Sequence, residues 1–352
     1  MKRPASEPLP RPLTVLCLLA LSAIVALGAP SVAGALDYSG GANQFSGGFS
    51  PSNAPYGGFG GGSCTASRTP VIFVHGNGDQ AKSFDTPTST GVPSAYDTFR
   101  AAGYNDCELF GITWLSSGEQ GLPQFNYHRP SKADLLSDFL LDVKAYTGSS
   151  QVDIVSHSLG VTMSLFALDD AGLWSSLRRF IGVAGGMRGL ATCYYVGNAN
   201  PAATTCGSQN VFNSDIFGLY PHSWWTWNPR LGNGGFRDDP AGKSALFYTL
   251  SADIHDEVLC GTASSTFGCG NTARFDSRSN VEAQLDVGYG TPAAGVDFDF
   301  SDWSLFNVLG GDADGVGHYR ALTQTGQIQV NMLTTSCTGT GCCSGYSDPC
   351  GP

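Results

Sequence analysis

The sequence predicts an α/β protein built on a mostly parallel, doubly wound sheet. From Thr69 onward, short apolar runs of strand length alternate with stretches of helical spacing. Residues 151–168 read as a strand, a sharp turn and a helix in direct succession. Strands that alternate with helices are typical of a parallel sheet with helices packed on both faces, so we expect one layered domain.

The individual elements follow from apolar periodicity. Besides the strand that begins at residue 151, short apolar runs predict strands at 70–75, 107–114, 180–184, 246–251 and 283–288. Three stretches predict further helices, at 92–102, 131–148 and 318–333. The second of these opens with Ser131-Lys-Ala-Asp134, which has the pattern of a capping box.

The first 35 residues resemble a secretory signal peptide. A basic start precedes an uncharged apolar run over residues 13–27, and Ala33-Gly-Ala35 supplies a small-residue cleavage site. The apolar run is short for a membrane span. We therefore expect cleavage after Ala35 and a secreted, extracellular protein without stable membrane insertion.

Cysteine usage agrees with export. Of the 11 cysteines only Cys17 lies in the predicted signal, which leaves an even number in the mature chain. An even number indicates disulfides in an oxidising compartment. Cys193–Cys206 and Cys260–Cys269 are short-loop candidates, and the full pairing stays open. Paired C-x-x-C spacings with histidines are missing, so we expect neither a metal nor another cofactor.

The charge balance excludes several kinds of partner. The chain has 29 acidic and 18 basic residues, a formal net charge of −11, and no basic stripe. Nucleic acids and anionic membrane surfaces are therefore not expected as partners. We expect a monomer.

Residues 36–62, between the predicted signal and the main domain at 63–352, are rich in glycine and serine. They form either a flexible leader or a segment packed on the domain. We favour packing because four of its aromatic side chains in particular would serve little purpose in a linker. These are Phe45, Phe49, Tyr56 and Phe59.

Residues 188–243 interrupt the alternation of strands and helices. Their aromatic side chains include Phe212, Phe217, Tyr220, Trp224, Trp225 and Trp227. An irregular stretch of this length inside a compact domain is usually functional or disordered, and the aromatics argue against disorder. We interpret it as a cap beside a functional site. The alternative is an aromatic mini-core pinned by Cys193 and Cys206.

The turn within residues 151–168 carries a candidate nucleophile. The apolar run breaks into Ser156-His-Ser158-Leu-Gly160 before the helix begins. In α/β-hydrolases this turn, the nucleophile elbow, holds a serine in strained geometry and exposes its hydroxyl above the sheet. Small residues are needed two positions on either side, and Ser156 and Gly160 satisfy that need. The pattern alone is weak, and an ordinary β-to-α turn is the alternative.

An ester-cleaving serine needs N–H donors for the oxyanion and a base for its proton. His75-Gly-Asn77-Gly follows directly on the first predicted strand, and we assign the oxyanion hole to the backbone N–H groups of Asn77 and Leu159. His318 lies near the chain end, after the last predicted strand, and is our candidate base. We expect His75 and His157 to be structural.

The acid that orients the base should follow the strand at 246–251. Asp256 precedes a short apolar pair and is our candidate, with Asp253 as the alternative. The resulting chain order of Ser158, Asp256 and His318 is the order that α/β-hydrolases use.

Seven stretches fit one known family, and several of them have no general role in hydrolases: residues 56–64, 70–79, 103–107, 125–128, 151–155, 206–210 and 315–318. With them the chain resembles the extracellular poly(3-hydroxybutyrate) depolymerases that attack native, amorphous polymer, which are α/β-hydrolases akin to small bacterial lipases. The resemblance covers nearly all of the mature chain and implies the same triad and oxyanion hole. Ser156, Leu159 and Phe125 stand where it predicts alanine, methionine and tyrosine.

The resemblance predicts a secreted hydrolase that cleaves this polyester to hydroxybutyrate oligomers through an acyl-enzyme. The side chains expected to grip the polymer are Phe125, Tyr127, Trp224, Trp225 and Trp227. A triacylglycerol lipase or carboxylesterase is the nearest alternative, because it shares the chemistry. A polymer-binding protein without catalysis is the third.

Overall fold

A computed structural model of the chain describes most of the residues from 36 to 352. The described residues are 36, 43–53, 55–85, 92–190, 193, 196, 197, 200–207, 218–220, 240–252, 256, 258, 259, 272–288 and 317–352. The predicted signal peptide lies outside them, as do Asp253, Cys260, Cys269 and the three tryptophans of the predicted cap. All of the described residues belong to one compact unit.

Within these residues nine strands form a single sheet. In chain order they are β1 (Asn43–Phe45), β2 (Gly58–Gly60), β3 (Val71–Val74), β4 (Leu109–Ile112), β5 (Val152–His157), β6 (Leu177–Val183), β7 (Leu246–Ser251), β8 (Val281–Val287) and β9 (Cys350–Gly351). Their order across the sheet is β1-β2-β4-β3-β5-β6-β7-β8-β9. Neighbouring strands are parallel except at β2–β4 and β8–β9.

Helices cover both faces of this sheet. The described α-helices are α1 (Ala95–Ala101), α2 (Ser117–Gln120), α3 (Pro130–Thr147), α4 (Leu159–Asp170), α5 (Arg320–Thr323) and α6 (Gly326–Thr334). Short 3₁₀ helices lie at Ala81–Asp85, Pro123–Phe125, Trp174–Ser176, Thr204–Cys206 and Gly339–Cys343.

Two buried apolar clusters lie on opposite faces of the sheet. Ile72 and Ile154 belong to the cluster with α3 and α4, whereas Val71 and Val155 belong to the cluster with α1 and α6. Because successive side chains of a strand point to opposite faces, this division places a helical layer on each side. The predicted doubly wound, mostly parallel sheet is confirmed.

All six predicted strands are present, and β7 has the predicted bounds. No sequence pattern predicted β1, β2 and β9. These strands are two or three residues long and lie at or next to the sheet edges, so they are too short to show a periodic pattern.

The predicted capping box at Ser131 was wrong. Helix α3 begins at Pro130, and Arg129 is the N-cap without a side-chain hydrogen bond. Proline is favoured at the first helical position, so the helix starts one residue before Ser131 and leaves that serine inside its first turn. A capping box does form between Ser116 and Glu119, at the start of α2.

The single helix predicted over residues 318–333 was also wrong. The structure has α5 and α6 instead, separated by Gln324 and Thr325. The Thr325 hydroxyl donates to the backbone oxygen of Ala321 at 2.5 Å, which takes the place of a backbone bond. His318 therefore lies in a turn before α5.

Four disulfides join described cysteines: Cys64–Cys107, Cys193–Cys206, Cys337–Cys342 and Cys343–Cys350. The predicted Cys193–Cys206 bond is among them. These bonds fit an extracellular protein.

Among the described helices, none is long and apolar enough to span a membrane.

Of the four aromatic side chains considered in residues 36–62, Phe45, Phe49 and Phe59 pack on the domain as we favoured. Phe49 and Phe59 are buried, whereas Tyr56 is 52% exposed. The Phe49 ring lies 4.9 Å from the Phe110 ring and 5.6 Å from the Phe139 ring, measured between centroids. This segment therefore contributes to the core.

Replacing Phe49 by alanine should reduce the free energy of unfolding by about 3–5 kcal/mol, because a buried ring is lost and a cavity remains. Leu141→Ala, at a 45% exposed position of α3, is the control and should change it by at most about 0.5 kcal/mol. Denaturant unfolding measures both. Equal losses would show that residues 36–62 do not contribute to the core.

Candidate active site

Ser158 occupies the turn between β5 and α4 in a strained backbone conformation. Its φ and ψ angles are 54° and −126°, and among the described non-glycine residues only Ala184 also has a positive φ. Such angles cost about 1–3 kcal/mol and persist only where the surroundings fix them. The Ser158 N–H donates to the Val183 oxygen at 2.9 Å. The predicted strand, turn and helix are therefore present.

The residues two positions on either side of Ser158 meet the backbone of the loop after β3. A Cβ atom on Gly160 would lie 2.4 Å from the His75 backbone oxygen, so only glycine fits there. On the other side, the Ser156 hydroxyl is 3.1 Å from the Ser164 hydroxyl and 3.4 Å from the Val74 oxygen. Serine is accepted at that position because its hydroxyl has polar partners.

His318 and Asp256 form a buried pair. The His318 Nδ1 atom lies 2.9 Å from each carboxylate oxygen of Asp256, and the two residues are 2% and 0% exposed. The same carboxylate accepts the N–H groups of Val258 at 3.0 Å and Leu259 at 2.7 Å. With Nδ1 donating to the carboxylate, Nε2 is the basic nitrogen of the neutral ring.

His157 connects the Ser158 turn to the His318 loop. Its Nε2–H donates to the His318 backbone oxygen at 3.0 Å, and the two imidazole centroids are 4.7 Å apart. Burial, and then the neighbouring His318, hold the pKa of His157 well below its usual value. This histidine is therefore neutral and structural, as its position in the motif predicted.

The two amides assigned to the oxyanion hole come from the loop after β3 and from the first residue of α4. Leu159 is the first residue of α4, and a first helical N–H has no acceptor within its own helix. Asn77 follows β3, and its side chain donates to the Pro123 oxygen at 2.9 Å and accepts from Asn126 at 2.7 Å. Neither backbone N–H donates to an acceptor among the described residues.

His75 holds the start of this loop, residues 75–79, which we call the oxyanion loop. Its Nδ1–H donates to the Gly76 oxygen at 2.8 Å, and its Nε2 accepts the Trp114 N–H at 3.1 Å. The Trp114 indole N–H donates to the His75 oxygen at 2.9 Å. Burial lowers the pKa of His75 to about 3, so the ring is neutral, and its predicted structural role is consistent with these bonds.

Asp79 is a buried carboxyl that sequence analysis missed. Its Oδ1 accepts the Gln80 N–H at 2.7 Å and the Ser83 hydroxyl, while Oδ2 has no partner among the described residues. Burial raises the pKa of Asp79 to about 6, and the nearby His318 opposes that rise. Ser83 also lies close to the side chain of Tyr319, next to His318. An aspartate after Gly-Asn-Gly reads as an ordinary turn residue, so no sequence signal pointed to it.

The predicted substrate-contacting residues are only partly described. Phe125 is 37% exposed and Tyr127 is half-buried, with the Arg129 guanidinium 4.7 Å from its ring centroid. Trp224, Trp225 and Trp227 lie outside the described residues.

Within the described part of the chain, no group of three or more His, Cys, Asp or Glu side chains is arranged to hold a metal ion.

A model of the class 2 lipase family matches residues 68–218. A search of curated proteins gave no match. Similar solved structures include Aspergillus fumigatus lipase B, with a TM-score of 0.48 and 16% identity, covering 80% of this chain and 57% of that chain. The mature Bacillus licheniformis lipase BlEst2 has a TM-score of 0.42 and 16% identity, covering 66% of this chain and 90% of that one. Bacillus subtilis carboxylesterase CesB has a TM-score of 0.36 and 10% identity, covering 79% of this chain and 86% of that one.

The doubly wound sheet and the turn at Ser158 define the α/β-hydrolase fold. Over residues 68–218 the chain is similar to class 2 lipases. That range includes Asn77 and Ser158 and ends before Asp256 and His318. Aspergillus fumigatus lipase B is a longer protein, of which this chain spans 57%.

Gly76→Ala should lower the rate of ester hydrolysis by about 100-fold, because a displacement near 1 Å at a reacting group has that effect. A Cβ atom on Gly76 would lie 2.7 Å from the Ser158 Cβ and 3.0 Å from the His157 Nδ1. Gly118→Ala is the control, since a Cβ there meets nothing within 4 Å. Assays with a soluble p-nitrophenyl ester compare the two variants. Full activity in Gly76→Ala would show that this contact does not position Ser158.

Asp79→Asn should change how stability depends on pH. The native carboxyl has a pKa of about 6 against about 3.9 in an unfolded chain, so native protein retains the proton longer. Stability contributed by the neutral form is present below about pH 4 and is lost as pH rises to about 6. Asparagine cannot ionise, so it does not lose this stability as the pH rises. The Tm of the variant minus the Tm of wild type should therefore be larger at pH 7.5 than at pH 4.

The exposed Asp134→Asn on α3 is the control for the loss of one negative charge. Thermal unfolding at the two pH values measures the effect. A Tm difference between Asp79→Asn and wild type that is the same at both pH values would contradict the proposed titration of Asp79.

Proposed function

We propose that the protein is a secreted serine hydrolase that cleaves the ester bonds of amorphous poly(3-hydroxybutyrate) to hydroxybutyrate oligomers. The observation that carries the hydrolase assignment is the strained Ser158 turn tied, through His157, to the buried pair of His318 and Asp256. A serine, a histidine and an oriented carboxylate are the groups that acyl transfer requires.

In this proposal His318 Nε2 takes the proton of the Ser158 hydroxyl as its oxygen attacks the ester carbonyl. The N–H groups of Asn77 and Leu159 stabilise the tetrahedral oxyanion, because both donors are otherwise uncommitted among the described residues. His318 then protonates the departing alcohol, which leaves an acyl-enzyme. Water, deprotonated by His318, releases the acid and restores Ser158. Asp256 stabilises the imidazolium throughout, and the N–H groups of Val258 and Leu259 hold its carboxylate in place.

The surface beside the oxyanion loop favours a water-insoluble ester. Leu122 and Phe125, which we call the rim, are 50% and 37% exposed. The intervening Pro123 accepts the Asn77 side chain, so the rim is fixed to the oxyanion loop. The Thr204 hydroxyl donates to the Phe125 oxygen at 2.9 Å and connects the rim to residues 188–243. Exposed apolar side chains at such a position suit a hydrophobic ligand surface.

The polyester itself is supported by sequence. The stretches 56–64, 103–107, 125–128 and 206–210 resemble those of depolymerases that act on amorphous polymer. The predicted signal peptide and the four disulfides support export. A triacylglycerol lipase is the second candidate, and the match to the class 2 lipase family over residues 68–218 favours it.

The mature protein should release soluble hydroxybutyrate oligomers from amorphous poly(3-hydroxybutyrate), detected by mass spectrometry. Ser158→Ala should lower this rate by at least about 10⁴-fold, since the nucleophile is lost, while adsorption to the polymer and Tm stay near wild type. Ser156→Ala is the control in the same turn and should keep its activity, because alanine is the residue that the resemblance predicts there.

A parallel assay on a long-chain triglyceride emulsion separates the two candidate functions. Faster turnover of the triglyceride, with no oligomers from the polymer, would overturn the polyester assignment and leave the hydrolase assignment standing. Activity retained in Ser158→Ala would overturn both.

A further inference from the structure

Leu36 makes a polar contact with a residue far away in sequence. Its backbone N–H donates to the Asp85 carboxylate Oδ2 at 2.8 Å. Its side chain packs against the buried apolar cluster that includes Phe84. Leu36 also follows directly on Ala35, the last residue of the predicted signal peptide. The nitrogen that contacts Asp85 is therefore the nitrogen that cleavage after Ala35 would release.

Among the described residues, Asp85 has no cation within ion-pair distance, although Lys82 acts on it electrostatically. Asp85 is 3% exposed, and its other oxygen lies 3.5 Å from the Ser94 hydroxyl. Among the described residues, no cationic side chain forms an ion pair with it. A buried carboxylate that lacks a cation is costly.

Within the described part of the chain, the charged and titratable groups that face Asp85 come from two elements. Asp97 of α1 opposes its ionisation, Lys82 of the helix Ala81–Asp85 favours it more weakly, and Tyr96 is the nearby phenol. Burial is the main cause that raises the pKa of Asp85 to about 7 while Leu36 is an amide. An ammonium at Leu36 would supply the charge that this site lacks.

Asp85 also occupies a position next to the candidate active site. It ends the 3₁₀ helix Ala81–Asp85, which follows the oxyanion loop. The Ala81 N–H donates to the Thr113 hydroxyl at 3.0 Å, and the Ser83 hydroxyl donates to Asp79. A partner for Asp85 would therefore hold the far end of the segment that supports this loop.

We propose that cleavage after Ala35 creates a buried ion pair between the α-ammonium of Leu36 and the Asp85 carboxylate, which fixes the mature N-terminus to the helix Ala81–Asp85. A leader-cleaving peptidase hydrolyses the Ala35–Leu36 peptide bond with one water molecule. Ala35 keeps a carboxylate, and the freed amine of Leu36 is protonated at neutral pH. The inference does not depend on the ester substrate.

The ion pair has a pH signature. With an amide at Leu36, native Asp85 keeps its proton up to about pH 7, whereas the unfolded chain loses it near pH 4, so stability falls between these values. With an ammonium at Leu36, the native carboxylate stays charged and this fall is absent. The α-amine of Leu36 titrates near pH 8 in the unfolded chain, and its pairing with Asp85 would raise that pKa in the folded protein. The stability that the ammonium contributes is therefore lost as the pH rises through the pKa of the folded form. The advantage of the free terminus is therefore largest between about pH 7 and 8.

Two proteins test the proposal: one begins at Leu36, and the other carries Gly-Ser-Gly-Ser before Leu36. Both keep the Leu36 N–H, and only the first has an ammonium there. At pH 7.5 the first should unfold at a Tm about 3 °C higher, and the difference should shrink at pH 4.5. Equal Tm values at pH 7.5 would overturn the proposal.

Asp85→Asn in both proteins provides the matched control and should abolish the Tm difference, whereas Asp97→Asn should preserve it. A difference that persists in Asp85→Asn would overturn the assignment of the partner. If Asp85→Asn does not fold, the wild-type pair at the two pH values decides. Mass spectrometry of the exported protein should find Leu36 as the first residue, and another N-terminus would also overturn the proposal.

Discussion

The close approach of two backbone segments at Ser158 is the constraint on which the candidate site depends. A Cβ atom would lie 2.4 Å from the His75 oxygen if placed on Gly160, and 2.7 Å from the Ser158 Cβ if placed on Gly76. The Ser158 turn and the oxyanion loop are therefore packed backbone to backbone, without room for side chains between them. A shift of either segment moves both the hydroxyl of Ser158 and the N–H of Asn77. The strained φ of Ser158 persists because this packing leaves the residue no relaxed alternative.

Two buried histidines hold the segments that this packing brings together. A neutral imidazole donates one hydrogen bond and accepts another, and burial keeps both rings neutral by lowering their pKa values. His75 uses this capacity to join the oxyanion loop to Trp114, and His157 joins the Ser158 turn to the backbone of His318. A lysine or arginine at either position would add a fixed positive charge near the candidate base. Neutral side chains position His318 without disfavouring its protonation.

Sequence analysis succeeded where local patterns decide the structure. The strand β7 was predicted to the residue because its apolar run is buried. Asp256 was preferred to Asp253 because it precedes a short apolar pair, and the structure places its carboxylate 2.9 Å from the His318 Nδ1 atom. Sequence analysis failed where two local signals compete. The helix α3 begins at Pro130, although Ser131 has the pattern of a capping residue. The predicted helix over residues 318–333 ends before Thr325, although its apolar spacing continues. Asp79 and Asp85 were missed because burial by distant residues, not local pattern, changes their chemistry.

These two carboxyls explain how the oxyanion loop is supported from its far side. Asp79 precedes the 3₁₀ helix and Asp85 ends it, while Phe84 between them is buried 4.9 Å from the Phe73 ring of β3. Burying two carboxyls costs stability at neutral pH, since burial raises both pKa values. Asp79 accepts the N–H of Gln80 just before this helix, and Asp85 accepts the N–H of Leu36 from a segment far away in sequence, so a hydrogen bond holds the chain at each end of the helix. The position of Asn77 thus derives from packing on both sides of its loop. The glycines of Gly-Asn-Gly allow the backbone to adopt the conformation that this packing requires.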